Sequence, residues 1–254
     1  MSKKKTIAVT AVAVILILAA AVTYIVLKNQ GMFSAGNDEQ YSVAASDEYK
    51  SSPIKGKTVI FLGSSVTYGA TSYGESFVDY LEKKDGIIPV KEAVSGTTLV
   101  DSGENSYVSR LKTIDTDIKA DAFICQLSTN DATKKKPLGE IAEGFDMDDF
   151  DTSTVAGAIE YIIAYSKDTW DCPIAFYTGT RYKSDRYEEM VFLLYRIAEK
   201  WNIDVIDLWG DEDMNSVSKE DYKLYMVNGI HPSRAGYQLW WTPKFEIYLY
   251  TKLI

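Results

Sequence analysis

Apolar positions along the chain fall into three regimes. From Thr6 to Leu27 they dominate without interruption, and these 22 residues carry no charge. From Gln30 to Lys57 polar residues prevail, with Gly, Ser, Asn and Asp mixed in and no clear period. Beyond that point short apolar runs alternate with longer amphipathic stretches. The short runs are Lys57–Leu62, Val90–Val94, Asp121–Leu127, Pro173–Tyr177 and Ile203–Leu208, which predict five strands. Helical spacing of apolar residues appears near 75–84, 106–118, 154–167, 186–201 and 234–250. Strands alternating with helices predict a parallel sheet covered on both faces. Such sheets bind their ligands at the carboxyl ends of the strands, so chemistry is expected in the residues that follow each run.

The uncharged N-terminal run would make a helix of roughly 33 Å, enough for a bilayer core. Lys3, Lys4 and Lys5 precede it and Lys28 follows it. This asymmetry keeps the N-terminus in the cytoplasm and sends the rest outward. Residues 1–29 therefore read as a cytoplasmic stub and transmembrane signal-anchor, residues 30–56 as a polar linker, and residues 57–254 as the globular domain. The expected location is the cell membrane, single-pass, with the domain on the extracellular side. The rival reading is a secreted protein cut at Ala19-Ala20-Ala21. Val22 to Leu27 continues apolar beyond such a cut, as an anchor does.

Composition narrows the chemistry. Hydrophobic residues make up 46% and charged residues 25%, as in ordinary globular chains. Outside the first 30 residues there are 23 basic and 36 acidic groups, a balance that argues against nucleic acid as a partner. The single histidine, His231, excludes a site built from several His ligands. Cys125 and Cys172 lack CxxC spacing and read as two separate buried thiols. The acidic stretch Gly144–Asp151 has neither the central Gly nor the closing Glu of an EF-hand, so it reads as a solvated loop beside the active edge, placed where a lid would lie. Trp240 and Trp241 fall in an apolar-periodic helix and read as packing, whereas Tyr68 and Tyr73 are candidates for stacking on a sugar.

The residues after the strands carry the candidate chemistry. Gly63-Ser64-Ser65-Val66-Thr67-Tyr68-Gly69 follows the first run, a small-residue turn that projects a serine at the sheet edge. Taken alone it equally suits a helix cap. Gly96 follows the second run, where a glycine lets a backbone N–H approach a ligand. Ser128-Thr129-Asn130-Asp131 follows the third, and an Asn amide there donates to a developing oxyanion or caps a helix. Asn228-Gly229-Ile230-His231-Pro232 lies after the fifth run and before the last helix. A serine, a backbone N–H, an Asn amide and a histidine together form a set for acyl transfer.

These blocks, over about Lys57 to Tyr250, resemble the SGNH (GDSL-type) hydrolase family. The resemblance implies a three-layer α/β/α sandwich with a five-stranded parallel sheet, flavodoxin-like in architecture and here preceded by one transmembrane helix. It implies Ser65 as nucleophile and His231 as general base and then acid. The oxyanion hole would comprise the N–H groups of Ser65 and Gly96 and the amide of Asn130. No metal or organic cofactor is implied.

Two departures matter. The family commonly has Gly where this chain has Ser128; a Ser there would narrow the pocket, though a strand end tolerates the hydroxyl. It usually has Asp three residues before the histidine, and this chain has Asn228. Asn orients an imidazole but brings no charge to the imidazolium. Three readings stay open: Asn228 orients His231; Asp207, after the fifth strand, supplies a carboxylate instead; or catalysis is lost. The expectation is a membrane-anchored serine esterase acting on an O-acyl, perhaps acetyl, ester of a small molecule or polysaccharide. The alternative is a catalytically silent surface module that binds glycan or a partner protein.

Overall fold

The computed structural model describes residues 3–254 and, within the first helix, side chains from Val14 onward. Five strands form one sheet: β1 (Thr58–Gly63), β2 (Ile88–Ala93), β3 (Ala122–Gln126), β4 (Ile174–Tyr177) and β5 (Asp204–Ile206). Their order is β2-β1-β3-β4-β5 and all pairs are parallel. This is the doubly wound arrangement expected from the alternating pattern, with its switch point between β1 and β3.

Alternate residues of the strands feed two cores. Ile60, Leu62, Phe123 and Cys125 pack on one face, against α4 (Tyr107–Leu111), α6 (Val155–Trp170) and α7 (Asp185–Trp201). Val59, Phe61 and Ile124 pack on the other, against α3 (Phe77–Asp85) and α10 (Thr242–Leu253). Ser76 Oγ caps α3 by accepting from the Val78 N–H, and the Ser76 N–H donates in return to the Asp79 carboxylate, a capping box that starts the helix sharply. The remaining helices are short: α2 (Ser65–Tyr68), α5 (Thr129–Thr133), α8 (Glu212–Asn215) and α9 (Lys219–Tyr225).

Some expectations shift. Strand β2 begins at Ile88 and so includes Pro89, which an edge strand tolerates because one side of it has no partner to serve. The last helix opens with a π-helical segment, Gly236–Trp241, before α10. Pro243 has no N–H to give to the preceding turn, and the wider turn accommodates that gap. Trp240 and Trp241 are buried there, as packing residues are. Cys125 and Cys172 are both free thiols, but only Cys125 is buried; Cys172, before β4, is half-buried.

The acidic stretch is packed against the domain rather than solvated throughout, tied to α7 at its start and to the turn after β2 at its end. Lys200, at the end of α7, donates to the carbonyls of Ala142 and Gly144, and Phe145 and Phe150 pack edge-on to Trp201. At its other end the chain returns to the turn after β2, where the Thr152 carbonyl accepts from the Asp101 N–H at 2.8 Å. Its aromatic residues and the Lys200 cation hold the intervening part against the end of α7.

Helix α1 spans Lys3–Asn29, and its described apolar residues, from Val14 to Val26, are exposed. Among the described residues no helix is long and apolar enough to cross a membrane. The expected span begins in residues whose side chains lie outside the described set.

The segment 30–56 does not hang free as a spacer would. It forms three short 3-10 turns, Ala35–Asn37, Glu39–Tyr41 and Val43–Ala45, that lie on the domain. Asn37, Ser42, Ser46 and Ile54 are buried. Tyr80 donates to the Tyr41 carbonyl, Gln238 to Ser46, and Tyr49 to Glu246. Asn37, Ser42 and Ser46 spend their polar groups on capping and on the domain, while Asp38, Gln40, Asp47 and Lys50 stay exposed.

Candidate active site

Strand β1 ends at Gly63, and the chain turns directly into α2. Any side chain at Gly63 would collide with Thr67, whose Oγ1 would lie 1.7 Å from an added Cβ. The turn is held from below by Gln126, at the end of β3. Its Oε1 accepts from the Ser64 N–H at 2.9 Å and from Thr67 Oγ1 at 2.9 Å. Gly69 closes α2 with φ +85°, and the N–H groups of Gly69 and Ala70 both donate to the Ser65 carbonyl. Ser64 is fully buried, while Ser65 keeps 8% of its surface exposed. The Ser65 N–H, at the start of α2, has no acceptor among the described residues.

Ser65 Oγ lies 2.8 Å from His231 Nε2. His231 stands on a tight loop closed by the Val227 N–H donating to its carbonyl at 3.0 Å and by a bridge between Met226 and Pro232. Asn228 Oδ1 accepts from the backbone N–H groups of Ile230 and His231, both at 3.0 Å, and lies 3.1 Å from His231 Nδ1. The two backbone donors require this atom to be oxygen, so Nδ1 must carry the proton. Nε2 is then left with a lone pair aimed at the Ser65 hydroxyl. Burial pushes His231 below its ordinary value, which keeps the imidazole neutral and able to accept a proton.

Asp207 is committed elsewhere. Tyr195 donates to its Oδ2 at 2.7 Å, and Thr178 and the Gly210 N–H donate to Oδ1. The position it was a candidate for, against Nδ1, is taken by Asn228.

Asn130 and Gly96 meet the same edge. Asn130 Nδ2 donates to the Thr97 carbonyl at 2.9 Å and to Ser64 Oγ at 3.3 Å. It thus touches the neighbours of both Gly96 and Ser65. Gly96 is exposed, adopts φ +81°, and has open space where a Cβ would be. Five of the six site candidates are therefore gathered at the carboxyl ends of β1, β2 and β3, with Asp207 outside the group.

Three supporting residues gave little sign of themselves in the sequence. Gln126 is a polar end to an apolar strand, the one signal that marks it. Arg110 is buried on α4 and donates to the carbonyls of Gly63 and Glu92 and to Thr97 Oγ1, tying the ends of β1 and β2 to the Gly96 turn. Asp131 accepts from the Leu99 and Val100 N–H groups, fixing the far side of that turn to α5. Burial pushes the Asp131 carboxyl up, while its hydrogen bonds with Ser128, Leu99 and Val100 oppose that rise.

Two hollows border the site. A cleft of about 340 Å³ runs from Gly96 between Thr98, Ser102, Glu104, Asn105 and Lys134. On the other side, Val66, Leu127, Tyr182 and Ile230 enclose only about 10 Å³. Among the described residues no group of three or more His, Cys, Asp or Glu gathers as a metal centre.

The geometry has relatives. A protein from Lactobacillus plantarum shares the fold with a TM-score of 0.65 at 20% identity, over 79% of this chain and 99% of its own. A member of the lipolytic protein G-D-S-L family from Veillonella parvula has a TM-score of 0.54 at 16% identity, over 78% and 100%. No curated protein is similar enough to this chain to match it. Residues 61–239 match the model of the GDSL-like lipase/acylhydrolase family, a span that holds the Ser65 turn, Gly96, Asn130 and the His231 loop. The chain belongs to the GDSL-like lipase/acylhydrolase family.

Proposed function

We propose that this protein is a serine esterase whose nucleophile is Ser65 and whose base is His231. The observation that carries the reading is the 2.8 Å contact between Ser65 Oγ and His231 Nε2. Ser65 Oγ attacks the ester carbonyl carbon as its proton passes to Nε2. The carbonyl oxygen, now an oxyanion, is held by the N–H groups of Ser65 and Gly96 and by the Asn130 amide, which releases its 3.3 Å contact with Ser64. His231 then gives the proton to the departing alkoxide, leaving an acyl-serine. Water, deprotonated by the same imidazole, returns the acid and the free hydroxyl. Asn228 keeps Nδ1 protonated and the ring in place throughout.

A short acyl group on a polar alcohol, such as an acetylated carbohydrate, suits the surroundings. The cleft beside Gly96 offers hydroxyls, an amide and the Lys134 ammonium to such an alcohol. The enclosed hollow beside Ile230 is about the volume of one water probe, too small for a long chain. The apolar run from Val22 to Leu27 supports an uncleaved anchor, and the charge asymmetry around residues 6–27 supports an orientation with the domain outside the membrane.

The test is labelling with a fluorophosphonate, together with hydrolysis of p-nitrophenyl acetate, longer p-nitrophenyl esters and acetylated sugars. Attachment at Ser65 and a preference for acetyl esters are expected. Well-folded protein that neither labels nor hydrolyses would instead be a glycan- or protein-binding module. Asn130→Ala is expected to lower kcat by about 10²–10³, the effect of one lost oxyanion donor. Since His231 must be neutral to act, kcat/KM should rise with pH along a single acid limb. Its midpoint should lie below the ordinary histidine value of about 6.5.

A further inference from the structure

We propose that Asn37, in the segment before the family domain, is a positioning residue that clasps the turn bearing Ser65 to the loop bearing His231; the inference rests on the esterase reading above. Asn37 is 6% exposed and every polar atom of its amide is used. Nδ2 donates to the Thr71 carbonyl at 2.7 Å and to the Gly31 carbonyl at 2.8 Å. Oδ1 accepts from the Arg234 N–H at 2.8 Å. Two carbonyls on one side and an N–H on the other fix which end of the amide is which.

Its partners belong to the two walls of the site. Thr71 follows Ala70, whose N–H bonds the Ser65 carbonyl, and Thr71 Oγ1 donates to the Pro232 carbonyl at 3.0 Å. Arg234 lies three residues beyond His231. Its side chain continues the clasp, reaching Glu75 at 2.7 Å and Glu39 at 3.2 Å and lying over the Tyr73 ring. Gly36 presses on the same loop: a Cβ there would sit 1.9 Å from the Leu224 carbonyl oxygen and 2.3 Å from Ser233 Oγ. The Ser65–His231 contact is made between two separate loops, and one buried amide spans both. The family match begins at residue 61, so this clasp lies outside it.

Misplacing a catalytic base by about 1 Å costs as much as a hundredfold in rate. In the full chain, Asn37→Ala should lower kcat on p-nitrophenyl acetate by about ten- to a hundredfold while KM stays within about twofold. His231 is the only histidine, so isotopically labelled histidine gives one set of ring signals. Those signals should move toward a free, solvated imidazole in the variant. Glu48→Ala, which removes an exposed ion pair with Lys83 from the same segment, should change neither readout. Folded Asn37→Ala with wild-type kcat and unmoved ring signals would overturn the clasp, even if it melts at a lower temperature. If Asn37→Ala does not fold, Asn37→Asp carries the test: it keeps the shape and the acceptor for Arg234 but has no N–H for Thr71, and the same losses are expected. If the wild type neither labels nor hydrolyses, the esterase reading fails alone, because the histidine signals still report whether Asn37 holds the loop.

Discussion

Ser65→Ala should reduce ester hydrolysis by about 10⁴–10⁶ while leaving the fold intact, since it removes one partly buried oxygen from a turn held by other groups. The turn depends on Gly63, Gln126 and Thr67, none of which the substitution touches. What remains should be the modest acceleration supplied by the oxyanion donors and by binding. His231→Ala should fall to a similar level, and the double variant should be no slower than the slower single one. A nucleophile and its base act as a unit, so their losses do not add. The check is kcat on p-nitrophenyl acetate for the two single variants and the double. Full activity in Ser65→Ala would remove the mechanism, and additive losses would mean that the two residues work separately.

Asn228 should divide sharply by substitution. Asn228→Ala strips Nδ1 of its acceptor and the loop of two backbone anchors, so kcat should fall by about 10²–10⁴. Asn228→Asp keeps the acceptor in the same place and adds a charge beside the imidazolium of the transition state. Its kcat should match or exceed that of the natural protein. The sign of the pH effect follows from the same charge. A carboxylate beside Nδ1 favours the protonated ring, so the His231 value rises and the acid limb of kcat/KM moves to higher pH. Asp207→Ala should leave that limb where it is, because its carboxylate bonds Tyr195 and Thr178. Indifference to every change at position 228 would reduce the site to a Ser–His dyad.

Particular residues show where sequence reading carried and where it stopped. The Gly63-Ser64-Ser65 turn was legible because it follows an apolar run directly, and a strand that ends in glycine and serine has few ways to continue. The His231 loop was legible from the lone histidine beside a proline. The choice between Asn228 and Asp207 was not, since it depends on which side chain arrives at Nδ1 after folding. Arg110 resembles any cation on an amphipathic helix, yet it binds the Gly63 carbonyl across the sheet edge. The segment 30–56 misled for the same reason. Its composition suits a solvated spacer, and only its partners, among them Thr71, Arg234, Tyr80 and Gln238, give those polar groups a buried use. The packing of the acidic loop at 144–151 has no local signal because its anchors, Lys200 and Trp201, lie some fifty residues downstream.

By itself the sequence determined the alternation of strands and helices, and with it the parallel sheet and the edge where Ser65, Gly96 and Asn130 gather. Burial of apolar residues obeys a local period, and a local period can be read along a chain. Tertiary structure alone decided that Asn228 rather than Asp207 meets His231, that Gln126, Arg110 and Asp131 brace the turns, and that the segment before the domain reaches the loops of Ser65 and His231. Each of those outcomes is a directional hydrogen bond between positions far apart in sequence, and a direction in space has no counterpart in composition or period.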